Sequence, residues 1–101
     1  MSEEIYTLGV WHVTPGAEEA FIATWKELGA LFMSLSQPPG PGTLVQSIDQ
    51  PQLMYSFGSW PSLEAVQAMR SNPRVPEMIA RLSTLCEKAK PGTFRVVATV
   101  A

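Results

Sequence analysis

The sequence holds a single cysteine, Cys86, and a single histidine, His12. One cysteine cannot close a disulfide within the chain, and one of each cannot build a zinc site or a thiolate cluster. Charge is scarce as well. Charged residues make up 16% of the 101 residues, below the usual figure of roughly one quarter, and the net charge is −2. There is no basic stripe, so nucleic acid is not an expected ligand. No apolar run is long enough to cross a bilayer. The opening Met-Ser-Glu-Glu lacks the basic start and apolar centre of a secretion signal, and cytoplasmic residence is the expectation. The glycine fingerprint of a dinucleotide site and the nucleophile elbow of a hydrolase are both missing. No flavin, haem or metal cofactor is expected.

What is present is apolar. Hydrophobic residues make up 46% of the chain, which suits one ordered domain over residues 1–101 and excludes disorder. Residues 5–13, IYTLGVWHV, are β-branched and aromatic and read as a strand. One face would carry Tyr6, Leu8, Val10 and His12, the other Ile5, Thr7, Gly9, Trp11 and Val13, and neither is plainly a water face. Thr14-Pro15-Gly16 stops the strand, with Thr14 as the expected N-cap of the next helix. Phe21, Trp25, Leu28, Phe32 and Leu35 then recur at helical spacing to about residue 35. Pro38-Pro39-Gly40-Pro41-Gly42 ends that helix in a loop too poor in N–H groups to cradle phosphate. Residues 43–48 and 53–60 read as strands joined by a short turn, hence an antiparallel hairpin. Pro61 opens a helix to about Arg70, and Asn72-Pro73 caps and starts another. Val75, Met78, Ile79, Leu82 and Leu85 form its inner face. Cys86 falls in the same apolar helical stretch and reads as a packed residue. Lys88 and Lys90 suit the helix's C-terminal end, Pro91-Gly92 is the stop, and residues 93–100 complete the strands.

Strand, helix, strand, strand, broken helix, strand is the split βαβ order. It implies an α+β, ferredoxin-like domain with a four-stranded antiparallel sheet and helices on one face. The other face should be polar in a solitary domain. Here the last strand is apolar on one side and only half polar on the other, and the first is similarly two-sided, which points to a homodimer through the open sheet face.

Several segments resemble the antibiotic biosynthesis monooxygenase family of dimeric α+β barrels. They are Pro15-Gly16 with Glu18-Glu19-Ala20-Phe21 and Trp25; Asp49-Gln50-Pro51 at the hairpin; and Ser59-Trp60-Pro61-Ser62-Leu63-Glu64-Ala65. The resemblance spans nearly the whole chain. It implies a cofactor-independent monooxygenase acting on a small phenol, hydroquinone or anthrone-type ligand, or a non-catalytic binding module on the same barrel. Haem-degrading relatives use an Asn, a Trp and a His where this chain has Gly9, Ala68 or Met69, and Met78 or Ile79. No axial iron ligand is therefore expected. Quinone-forming relatives surround a strand-end tryptophan with Asn, Tyr and Arg. This chain keeps Trp60, with Ser56 and Val66 at the Asn and Tyr positions and Arg81 as the matching arginine.

These considerations nominate His12 as general base, the one side chain that titrates near neutrality unaided. Trp60 is nominated as a stacking or N–H-donating residue and Arg81 as the cation. Leu8, Phe21, Tyr55 and Leu82 are the expected lining of an apolar pocket. The alternative for each is plain packing, with Arg81 in a solvated ion pair to Glu77.

Overall fold

In the computed structural model, which describes residues 4–101, the elements run β1 (Ile5–Val13), α1 (Glu18–Met33), β2 (Thr43–Gln46), β3 (Leu53–Trp60), α2 (Leu63–Ser71), α3 (Arg74–Thr84) and β4 (Cys86–Arg95). The strands form one antiparallel sheet in the order β2-β3-β1-β4. This is the ferredoxin-like α+β fold. β1 and β2, parallel to each other, are split by β3 between them, which is why the hairpin return must slot beside β1.

The alternation of β1 decides what each face does. Ile5, Trp11 and Val13 are buried, and so are Met54 and Trp60 on β3. These meet Phe21, Leu28 and Leu31 of α1, Ala65, Val66 and Met69 of α2, and Val75, Met78 and Leu82 of α3 in one core. At about 25 cal/mol per Å² of apolar surface, a core of this kind is the dominant favourable term. The opposite face carries Tyr6, Leu8, Val10 and His12. Register places Val45, Tyr55 and Val10 in one row and Thr43, Phe57 and Leu8 in the next, with Phe94 beside Tyr6. Tyr55, Phe57, Phe94 and Val45 remain exposed there.

Four boundaries differ from the sequence reading. The helix expected to run through Cys86 and Lys88 ends at Thr84, where the Leu85 N–H bonds back to Leu82 O at 3.1 Å. Cys86 opens β4 instead, opposite Val13, and burial pushes its thiol pKa up. Pairing with β1 outweighs the weak β-propensity of Lys88, Lys90 and Pro91, and Pro91 is tolerated because β4 is an edge. The extra residue appears as a bulge between His12 and Val13. Residues 96–101 lie beyond the sheet, anchored at Val96 N to Glu4 O (2.9 Å), with Val97 and Val100 exposed. β2 stops at Gln46 rather than at residue 48.

Thr14 is not the cap of α1. Ala17 occupies that position without a side-chain bond, after a turn in which Gly16 takes φ +91°. The turn is held by Glu18, whose Oε1 accepts from Gly16 N at 2.9 Å. The Glu18 carboxyl lies below its ordinary value, chiefly because its own backbone N–H bonds to it, helped by Gly16 N–H and the Gln52 amide. A depressed carboxyl stabilises the fold at neutral pH and loses that contribution as pH falls through its folded value. α2 opens at Leu63 rather than at Pro61, capped by Ser62, whose hydroxyl accepts from Ala65 N at 3.1 Å.

Asn72 does close the junction between α2 and α3. Its Oδ1 accepts from Arg74 N at 2.9 Å, and its carbonyl accepts from Val75 N at 3.0 Å. Asn72→Ala removes the side-chain bond and leaves the second intact. Denaturant melts should show a loss of about 1 kcal/mol, the usual worth of such a cap.

Candidate functional site

Two tryptophans cross the central strand pair in opposite directions. Gly9 faces Ser56 and Thr7 faces Gly58 in the β1–β3 register. Trp11, two residues beyond Gly9, folds its ring back and donates Nε1–H to Ser56 Oγ at 2.9 Å. Trp60, two residues beyond Gly58, folds back the other way and donates Nε1–H to Thr7 Oγ1 at 3.0 Å. Each bond runs diagonally over the sheet on the helix-covered face. Gly9 makes the first possible, because a Cβ there would lie 2.5 Å from Trp11 Nε1. The rings are then fixed from above. Phe21 packs on Trp11 with centroids 5.4 Å apart, and Phe32 meets Trp60 edge-on at 5.2 Å.

Above this floor lies a cavity of about 540 Å³, within the range of small-molecule sites. Trp25, Leu28 and Phe32 of α1 form one wall, and Met69, Val75 and Ile79 of α2 and α3 another. The loop at Pro39-Gly40-Pro41-Gly42 closes a third side, tied to β3 by Gly40 N to Ser59 O at 2.8 Å. Six of the seven glycines line the space, all but Gly16. A Cβ on Gly29 of α1 would meet nothing within 4 Å.

The lining is almost wholly apolar, with a distinctive polar minority. Thr7 and Ser56 supply hydroxyls, and Lys26 and Arg70 supply the only charges. Lys26 and Arg70 are exposed at the rim, and the Arg70 guanidinium donates to Thr93 Oγ1. No carboxylate and no histidine lines the cavity among the described residues. Nor do three His, Cys, Asp or Glu side chains gather there or elsewhere as a metal would require.

Of the residues nominated from sequence, the structure brings Trp60 and Leu8 to the cavity and leaves the others outside. Leu8 belongs to the strand that forms the floor, although the alternation of β1 aims its side chain the other way. His12 shares that other face, between Leu53 and Lys88 in register, so the expected base does not face the ligand space. Tyr55 is on the same open face. Phe21 and Leu82 are fully buried in the core beneath the helices. Arg81 is exposed and paired across to Glu27 at 3.3 Å, not to Glu77, with a contact to Met78 Sδ at the same distance. Sequence reasoning missed Thr7, Trp11, Lys26 and Arg70 as members of the site. The available signal was the repeated Gly-x-Trp, Gly9-Val10-Trp11 and Gly58-Ser59-Trp60, at the ends of two paired strands.

By sequence, no family profile matches the chain and no curated relative emerges. By structure it is similar to SnoaB, a cofactor-independent oxygenase from Streptomyces nogalater, with TM-score 0.83 and 20% identity over 98% of both chains. It is similar also to a Bordetella bronchiseptica protein provisionally named an antibiotic biosynthesis monooxygenase, with TM-score 0.79 and 19% identity over 96% of this chain and 100% of that one. A conserved protein from Methanosarcina mazei aligns at TM-score 0.80 and 15% identity over 92% of each. The resemblance read from the sequence therefore holds for the fold.

Two glycine substitutions separate floor from void. Gly9→Ala forces the Trp11 ring off Ser56 and should destabilise by about 1–3 kcal/mol, with an altered near-ultraviolet circular dichroism spectrum. Gly29→Ala adds a methyl to open space on a helix and should stabilise by roughly 0.5–1 kcal/mol in the same denaturant series.

Proposed function

We propose that this protein is a cofactor-independent monooxygenase for a small planar phenol, hydroquinone or anthrone. The observation that carries the reading is the apolar cavity walled by Trp25, with Trp11, Trp60 and two hydroxyl residues in its floor. Flat aromatic walls suit a flat aromatic ligand. Trp25, half-buried on α1, has ring surface left for a ligand, and Trp60 is fixed in the floor beneath it by Thr7 and Phe32. The fold shared with SnoaB, named a cofactor-independent oxygenase, supports the same assignment.

The chemistry asked of the protein is small. An electron-rich ring, once deprotonated, gives one electron to O₂, and the resulting radical pair joins as a peroxide at a ring carbon that carries hydrogen. That carbon then loses its hydrogen as a proton and the O–O bond breaks. One oxygen stays as a carbonyl and the other departs as water, so the electrons balance without a further reductant. The protein's part is to hold the ring, exclude water and stabilise the negative oxygen.

A second reading, a binding module without turnover, draws on the absence of any histidine or carboxylate from the described lining. An oxygen electrode distinguishes the two. With a panel of naphthohydroquinones and anthrones, uptake should exceed buffer autoxidation, and one labelled atom from ¹⁸O₂ should appear in the product. Trp60→Ala should lose most of the rate, and His12→Ala should keep it. Ligand binding with no acceleration for any panel member would assign the protein to the module reading.

The quaternary state belongs to the same proposal. A second copy would cover Val10, Val45, Tyr55, Phe57 and Phe94 through a two-fold sheet-to-sheet contact. Sedimentation at micromolar concentration should give about twice 11.0 kDa. Tyr55→Glu should shift that toward the single-chain value, and a wild-type monomer would refute the contact.

A further inference from the structure

We infer that Gly29 sets the size of ligand the cavity admits, and that part of the ligand lies against α1 in the space its missing side chain leaves. This rests on the aromatic-ligand reading above and adds the position that limits the ligand's width. Gly29 differs from the other five glycines that border the cavity. A Cβ on Gly9, Gly40 or Gly92 would meet Trp11, Ser59 or Phe94 at 2.5, 2.7 and 3.0 Å. One on Gly58 would stand 3.5 Å from Gly42 Cα, and one on Gly42 would stand 3.6 Å from the Trp25 ring. In each case protein already borders the place of the side chain. At Gly29 nothing lies within 4 Å of it. Nor does Gly29 serve the backbone, because Gly16 alone among the glycines takes a positive φ. It sits inside α1 with a full turn of helix beyond it, where glycine weakens a helix relative to alanine. A destabilising residue with no packing or conformational reason within the chain points to an occupant from outside it.

Helix geometry aims that space at the cavity. At about 100° per residue, Gly29 shares one face of α1 with Trp25, Phe32 and Met33, and all four border the cavity. The core face of Phe21, Leu28 and Leu31 lies to one side of this arc, and the exposed Ala23, Glu27 and Ala30 lie to the other. The Trp25 ring reaches across toward Gly42, so it flanks the space without filling it. Met33, one turn beyond Gly29, is exposed, so the space lies toward the cavity's mouth. An indole, a phenyl ring and a thioether surround it, which suits the edge of a fused ring. A bulky side chain at position 29 would occupy this volume and leave the floor of Trp11 and Trp60 untouched. It would therefore bar wide ligands and still admit narrow ones.

The test compares two ligands at equilibrium, read by quenching of tryptophan fluorescence. 2-Naphthol and 2-anthrol share a phenolic ring and differ by one fused ring. Wild type should bind both. Gly29→Leu should weaken 2-anthrol at least about tenfold and alter 2-naphthol by less than about twofold. Its denaturant midpoint should be no lower than that of wild type. Gly29→Ala should move the ratio of affinities the same way by a smaller factor, and it decides the matter if Gly29→Leu does not fold. Ala30→Leu, on the exposed face, should alter neither affinity. An unchanged ratio in the Gly29 variants, whether both ligands are retained or both lost alike, would overturn the role of Gly29 and leave the aromatic site standing. Wild-type binding of 2-naphthol but not 2-anthrol would do the same. Binding of neither ligand by wild type would overturn both.

Discussion

The crossed indole–hydroxyl bonds over β1 and β3 are the constraint on which the remaining architecture rests. Trp11 and Trp60 are 2% and 5% exposed, so their N–H groups have no water to turn to. Leaving either unpaired would cost about 1–3 kcal/mol. Their partners sit on the neighbouring strand, two pleats back from each ring. A slip of one residue in this pairing would turn Ser56 and Trp60 of β3 to the face opposite Thr7 and Trp11 of β1 and break both bonds at once. Hydrophobic burial alone would tolerate a slip more readily, since the open face is also apolar. The two hydrogen bonds thus settle which side of an ambiguous sheet takes the helices, and with it where the cavity floor lies.

Most of the fold could be read from the sequence because period and punctuation agreed. The apolar spacing along α1, the Pro-Gly loop after it and the Asn72-Pro73 junction each state their structure locally. The last strand could not be read this way. Lys88, Lys90 and Pro91 are poor strand formers, and only the long β1 edge, more than seventy residues away in sequence for each partner (Val13 with Cys86, for example), draws them into the sheet. The site was harder still. A strand's alternation says that His12 and Trp11 point oppositely but not which of them points at the helices. A base chosen for its titration range went to the wrong face for that reason, while Trp11, an ordinary core residue by pattern, entered the site. Arg81 was chosen by alignment with a family arginine, and the rotation of α3 that buries Val75, Met78 and Leu82 leaves it in solvent.

The cavity itself is a property of what the chain omits. Gly9 gives the Trp11 ring a place to lie, and Gly40 lets Ser59 Oγ approach within 2.7 Å of where a Cβ would stand. Glycine costs chain entropy wherever it is used in a strand or helix. A cluster of them around one apolar volume is a consistent departure from efficient packing, and such departures gather at sites that bind.

The sheet's two edges bear on a different matter. β2 offers only four residues, and β4 presents Glu87, Lys88 and Lys90 with Pro91, whose ring has no N–H to give. For Pro91 to pair opposite Gly9 without loss, its nitrogen must sit on the outer side, where an incoming strand would look for a donor. Lateral growth from either edge is therefore disfavoured, however sticky the exposed Tyr55, Phe57 and Phe94 are. The apolar surface of this sheet is thus confined to its face, and neither margin offers a long unpaired ladder from which a fibre could extend.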